Sequence, residues 1–290
     1  MDIEKVYSSI VEFIYNKVKS AGKDGVVLGI SGGIDSAVTA ALATMALGRK
    51  SVHALLMPFY NSHHFKDAMN VAHGLDIPHT TVWINDIYDA FWRTGLLWKD
   101  LTKDNLMARI RMCLVYAFAN EHNLLVIGTS NLTEIKTGYF TKHGDGAADL
   151  NPLGKSLKRG VYTLGRYFNE IVAERMIPED IFSKEPTAEL HPDQKDSDDL
   201  GSYEIADRII ENLQFGTGNL SDVDKSDIDR ITNLVTSSDH KRSMPPVPSL
   251  SDDDTISKDT FIRLLNETTN SEMSDSKFRM MVQNTIGIVK

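Results

Sequence analysis

The stretch Val26-Val27-Leu28-Gly29-Ile30-Ser31-Gly32-Gly33-Ile34-Asp35-Ser36 joins a short apolar run to a glycine pair and then to a helical pattern. An apolar run of this length, Val26–Ile30, reads as a strand buried on both faces. Adjacent glycines let the backbone approach an anion closely and turn successive N–H groups inward. The helix that follows, over Ser36–Leu47, adds the positive end of its peptide dipoles. The loop Gly29, Ile30, Ser31, Gly32, Gly33, Ile34, Asp35 and Ser36 is therefore a candidate phosphate cradle, with Ser31 and Ser36 as hydroxyl donors. It is not the lysine-bearing phosphate loop, because Asp35 stands at the lysine position. An acid beside phosphates repels them unless a cation lies between. Asp35 is therefore a candidate Mg2+ ligand.

Working outward, three more apolar runs read as buried parallel strands: Val52–Met57, Thr80–Ile84 and Leu124–Gly128. Helical periodicity covers residues 3–19, Phe65–Leu75 and Asn105–Asn120 as well. In the last of these Leu106, Ile110, Cys113, Leu114 and Ala117 form one apolar stripe, with Arg109 and Arg111 at its edges. Strands alternating with helices predict an α/β fold, a doubly wound, Rossmann-like parallel sheet flanked by helices. Such sheets bind ligands beyond the carboxyl ends of their strands. Thr129–Gly154 reads as a long polar loop, and loops of that length in a compact domain usually carry function. Helices resume over Leu157–Phe168 and Tyr203–Leu213, around a polar stretch, Glu189–Asp199, that suits a lid. The domain is expected to span 1–250. A Ser/Asp-rich tail, 251–290, follows with two short helical candidates at Asp259–Glu267 and Lys277–Ile286.

Composition narrows the class. With 290 residues, 41% hydrophobic and 24% charged, the chain has ample material for a buried core. A net charge of −9 argues against sequence-independent nucleic-acid binding, which needs a broad basic surface. No run approaches the ~20 apolar residues of a membrane span, and the acidic N-terminus does not read as a secretory signal. The single cysteine, Cys113, has no internal disulfide partner. A cytoplasmic protein acting on small molecules is the expectation.

Ser31-Gly32-Gly33-Ile34-Asp35-Ser36 resembles the signature of the ATP pyrophosphatases, in which the loop holds the pyrophosphate that leaves. From the first helix to about Leu250 the chain is similar to the ammonia-dependent NAD synthases of that group. The segment Asn105-Leu106-Met107-Ala108-Arg109-Ile110-Arg111-Met112 resembles that family's Asn-x-x-Ala-Arg-x-Arg-Met helix. Thr137-Gly138-Tyr139-Phe140-Thr141-Lys142-His143-Gly144-Asp145-Gly146-Ala147-Ala148-Asp149 resembles its glycine-rich run. Lys184-Glu185-Pro186-Thr187-Ala188-Glu189-Leu190 and His240-Lys241-Arg242 match two further motifs. The resemblance implies ATP contacts at the phosphate loop, Thr129, Lys158 and Thr187. It implies contacts to deamido-NAD at Arg109, Lys142, Asp149, His240 and Lys241, and Mg2+ ligands at Asp35 and Glu134. It also implies a homodimer.

The expected chemistry is ATP-dependent amidation of deamido-NAD through an acyl-adenylate, releasing AMP and pyrophosphate. No protein nucleophile is needed, so Asp35, Lys142 and Lys158 would act by positioning and charge stabilisation. Cys113, on a helix stripe, is expected to be a buried, inert thiol. No segment of the size of a glutaminase domain accompanies the motifs, so free ammonia is the expected nitrogen source. Two departures stand out. Phe59-Tyr60-Asn61-Ser62-His63-His64 replaces a serine-rich stretch, and Ser197 replaces an acid in Gln194-Lys195-Asp196-Ser197. They motivate an alternative, a paralogous AMP-forming amide ligase acting on another carboxylate. A second alternative is a non-catalytic nucleotide-binding subunit.

Overall fold

Four short strands, β1 Gly25–Gly29, β2 Val52–Leu56, β3 His79–Thr81 and β4 Leu124–Val126, form one parallel sheet in the order β3-β2-β1-β4. The computed structural model describes residues 2–60, 62, 64–96, 99–172, 176–184 and 200–247. The chain divides into two compact units, Met1–Ser243 and Met244–Lys290, and all that follows concerns the first. The sequence-based boundary at Leu250, the lid stretch Glu189–Asp199 with Ser197, and both helical candidates of the tail lie outside the described residues.

The sheet alternates as a strand with two buried faces must. Val26 and Leu28 point into one apolar cluster with Val52, Ala54 and Leu56. Val27 and Leu55 point into the other with Val126. The first face is covered by α1 Ile3–Ser20, α2 Ile34–Leu47, α3 Phe65–Gly74 and α7 Lys158–Tyr167. The second is covered by α4 Asn85–Trp92 and α5 Asp100–Glu121. Val26, Val27 and Leu28 are fully buried, each contributing roughly 1.5–3 kcal/mol by leaving water. The doubly wound expectation holds. The chain leaves β1 toward β2 on one side, while β4 lies on its other side, so the switch in strand order falls between β1 and β4.

Several local expectations are corrected. The long polar loop contains a helix, α6 Leu132–Thr137, started by a capping box in which Asn131 and Glu134 exchange side-chain and backbone hydrogen bonds. Helix α4 was not legible as a separate element, and β3 is shorter than Thr80–Ile84 and begins one residue earlier. In α5 the buried face runs through Met107, Ala108, Ile110, Val115 and Ala119. Cys113 is exposed, not buried. Helix α5 lies under an apolar sheet on one side and beside the cavity on another, so a single narrow stripe does not describe it. Past α8 Glu179–Ser183, helices α9 Tyr203–Phe215 and α10 Lys225–Ser237 build a third cluster with α6, around Leu132, Ala206, Ile209, Ile210 and Ile231. The short α11, Asp239–Arg242, follows.

At the opposite end of the sheet His53 of β2 stacks on Phe118 at 4.3 Å, and Phe118 on His122 at 4.2 Å. The His53 Nε2 lies 2.9 Å from the Thr80 hydroxyl. Burial, then the neighbouring His122 and His79, hold the His53 pKa below its ordinary 6.5. A base held neutral on folding costs stability once the unfolded chain protonates, so this contribution is lost as pH falls below about 6.5. His53→Gln is expected to lose less Tm than the parent between pH 7.5 and 5.5, measured by thermal denaturation at both. An equal loss would show that His53 does not govern this sensitivity.

Candidate active site

The phosphate loop connects β1 to α2, so the buried strand fixes one end and the helix the other. The N-cap of α2 is Gly33, which supplies no side-chain cap. The first-turn N–H groups of a helix have no partner within it, which leaves them for an anion. The loop holds itself: Gly33 N donates to Ser31 Oγ at 3.2 Å, Ser31 N to Ser36 Oγ at 3.3 Å, and Ser36 Oγ to the Gly33 carbonyl at 3.0 Å. Gly32 has φ +94°, and a Cβ there would sit 2.9 Å from the Asp67 Cβ and 3.0 Å from the Ala68 nitrogen of α3. Gly32→Ala is therefore expected to strain the loop by roughly 1–3 kcal/mol, lowering Tm and weakening ATP binding together. An unchanged ATP affinity, read by calorimetry, would contradict the close approach.

A cavity of about 920 Å3 opens at the carboxyl ends of the strands. Its wall includes Gly29, Ile30, Ser31, Gly33, Ile34, Asp35, Ser36, Thr129, Glu134, Lys158, His240 and Lys241. Elements distant in sequence meet here. Lys158, the first residue of α7, is 4% exposed. Its Nζ lies 2.5 Å from Asp35 Oδ2 and 3.5 Å from Glu134 Oε1. Asp35 Oδ1 accepts from Asn131 Nδ2 at 2.9 Å, and Glu134 Oε2 accepts from Asn131 N at 3.1 Å. The Tyr203 ring lies over Lys158 Nζ at 4.6 Å, with its hydroxyl 3.4 Å from Glu134 Oε1.

Two carboxylates thus converge on one cation beside the phosphate loop. Both offer hard oxygen donors, and no group of three or more His, Cys, Asp or Glu suited to a metal occurs among the described residues. That donor set fits Mg2+, which commonly takes one or two carboxylates and completes its shell from phosphates and water.

The other sequence candidates fall on a second wall or behind it. Lys241 Nζ donates to the carbonyls of Gly138 and Phe140 at 2.7 and 2.9 Å. Burial lowers the Lys241 pKa, opposed by Asp145. His240 Nδ1 donates to the Ser237 carbonyl at 3.1 Å. Lys142 Nζ donates to the carbonyls of His240 and Ser243 at 2.5 and 3.2 Å, tying the glycine-rich run to α11. Arg109 is exposed and donates to the Lys142 carbonyl at 3.4 Å. Asp149 accepts from Val126 N at 2.8 Å and from the Tyr116 hydroxyl at 3.4 Å. Gly32, Arg109, Lys142 and Asp149 are not part of the cavity wall. Thr187 lies outside the described residues.

Sequence reasoning missed Asn131, Tyr203 and Lys184 as site residues. Asn131 had a signal, the Asn-x-x-Glu spacing of a capping box. Lys184 lines the cavity, pairs with Asp67 at 3.1 Å and touches His64, one of the departing positions. Tyr203 is joined to the site only by the fold.

Residues 6–245 match the model of the NAD synthase family. The ammonia-dependent NAD+ synthetase of Archaeoglobus fulgidus is 40% identical over 256 residues, covering 87% of this chain and 99% of that protein. Among solved structures, an NMN synthetase from Francisella tularensis superposes with a TM-score of 0.77 at 34% identity, covering 86% of this chain and 100% of that one. An ammonia-dependent NAD synthetase from Campylobacter jejuni gives a TM-score of 0.73 at 33% identity, with coverage of 86% and 100%. With its phosphate loop, its convergent acids and nearly all of its first unit inside that match, the chain belongs to the NAD synthase family.

Proposed function

We propose that this protein is an ammonia-dependent NAD synthase, a ligase that converts deamido-NAD to NAD with cleavage of ATP to AMP and pyrophosphate. The observation that carries the reading is the end-to-end match to the Archaeoglobus fulgidus protein named for that activity. The convergence of Asp35, Glu134 and Lys158 beside the phosphate loop supports it chemically.

In this reading the nicotinate carboxylate attacks the α-phosphorus of ATP. A new O–P bond forms, the α–β bridging P–O bond breaks, and pyrophosphate departs. Ammonia then adds to the acyl carbon, loses a proton to solvent and expels AMP. The phosphate loop and the N-terminus of α2 bind the triphosphate, and Lys158 offsets charge on the departing oxygens. Asp35 and Glu134 would hold Mg2+, which when bound supplies Lewis-acid polarisation of the phosphates. Thr129 and Thr187 are assigned to ATP. Arg109, Lys142, Asp149, His240 and Lys241 are assigned to the dinucleotide.

We place the enzyme in the cytoplasm; no helix among the described residues is long and apolar enough to cross a membrane. A second copy of the chain is its proposed partner, with exposed Phe91 and Trp92 of α4, Leu96 beyond it and Leu101 at the start of α5 as a candidate face.

The similarity to the Francisella tularensis NMN synthetase favours one other reading, in which the acceptor is nicotinate mononucleotide. Steady-state assays with ATP, Mg2+ and ammonium, offering each acceptor separately, distinguish them. A higher kcat/KM for deamido-NAD supports the proposal; a higher value for the mononucleotide replaces it. Glutamine in place of ammonium is expected to give no product.

A further inference from the structure

Asp207 of α9 is 1% exposed, and its carboxylate is spent entirely on the segments that carry two of the site residues. Its Oδ2 accepts from Arg159 N at 2.8 Å, and its Oδ1 from Lys158 N at 3.2 Å. The same Oδ1 accepts from the Thr133 hydroxyl at 2.5 Å. Lys158 and Arg159 are the first two residues of α7, whose own N-cap, Leu157, has no side chain able to cap it. Asp207 supplies that cap from another helix. Thr133 directly precedes Glu134 in α6. The Arg159 side chain turns instead to Glu211 at 2.7 Å.

The residue type is informative. Two N–H donors address two different oxygens, so both must accept; a carboxylate satisfies that and an amide does not. A buried acid is costly unless its hydrogen bonds are complete. Burial pushes the Asp207 pKa up, and the three donors hold it down. One helical turn earlier on the same helix, Tyr203 touches the far ends of the same pair, over Lys158 and against Glu134. Helix α9 therefore holds Lys158 at both its backbone and its ammonium, and Glu134 at its carboxylate and through the hydroxyl of the neighbouring Thr133.

We propose that Asp207 is a positioning residue of the reaction: by holding the start of α7 and Thr133 of α6 together, it sets the separation of the Lys158 ammonium from Glu134 and Asp35. This rests on the function proposed above, and it concerns a residue that never meets substrate.

The test is Asp207→Asn in the full chain, made in the parent and in a Lys158→Ala background. In the parent, kcat is expected to fall about 10–100-fold, the range seen when supporting hydrogen bonds of a site are removed, with a smaller change in KM for ATP. In the Lys158→Ala background the same substitution is expected to cost almost nothing more, because the group it positions is gone. Amide exchange at Lys158 and Arg159 is expected to accelerate. Thr133→Val, which removes the hydroxyl that donates to Asp207 and accepts from Lys158 N at 3.4 Å, is expected to give a smaller loss that likewise vanishes without Lys158, and it serves if Asp207→Asn does not fold. Equal losses in both backgrounds, or no loss in the parent, would overturn the proposal. ATP affinity, followed through the same four proteins, reads the coupling whichever carboxylate is the acceptor, so failure of the NAD reading and failure of this one are told apart.

Discussion

Asp35→Asn is expected to lower kcat/KM by about a thousandfold or more, the scale of losing a principal electrostatic element of a site. The amide keeps the size of the carboxylate and can still accept from Asn131. It loses the charge that faces Lys158 at 2.5 Å, and with it half of the proposed Mg2+ donor set. The sign of the binding change separates this account from a loss of structure. Without a divalent ion, Asp35 repels the triphosphate, so the variant is expected to bind free ATP at least as tightly as the parent. With Mg2+ present it is expected to bind less tightly. Calorimetric titrations with and without the ion check both arms. A parallel weakening in both would mean that the loop itself had been damaged. Activity within tenfold of the parent would remove Asp35 from the chemistry.

Lys158→Met carries the second large effect, a fall in kcat of roughly a hundred- to a thousandfold. Methionine fills a similar volume, and at 4% exposure the site has little room for water to replace the ammonium. The Lys158 ammonium is then missing from between two carboxylates that converge on it. Removing one partner of a buried ion pair is destabilising because the remaining charge stays desolvated. Mg2+ is therefore expected to raise the Tm of Lys158→Met more than that of the parent, since a bound divalent ion replaces the missing charge. Differential scanning fluorimetry across a Mg2+ series measures this. Equal shifts would mean that the ion binds elsewhere.

What was legible in the sequence was local. Val26–Leu28, the glycine pair and the first turn of α2 specify strand, loop and helix within a dozen residues, so the cradle and Asp35 could be read directly. Glu134 and Lys158 followed from family likeness, Glu134 with support from its place after a strand. Asn131 was readable as a helix cap but not as the residue that holds Asp35. Asp207 and Tyr203 reach the site from α9, across more than forty residues of chain, and no spacing rule connects them to Thr133 or Glu134. An acid on the buried face of an amphipathic helix, Asp207 between Ala206 and Ile210, was the only hint. Cys113 failed for a related reason: α5 is apolar on more than one side, and periodicity alone did not say which side met the sheet.

The central claim is that the protein activates a carboxylate by transferring AMP to it. The most direct measurement uses deamido-NAD labelled with 18O in the nicotinate carboxylate, turned over with ATP, Mg2+ and ammonium, followed by mass spectrometry of AMP and pyrophosphate. If the carboxylate attacks the α-phosphorus, one labelled oxygen appears in AMP and none in pyrophosphate. Label in inorganic phosphate with ADP as co-product, or no label in AMP while NAD accumulates, would contradict it.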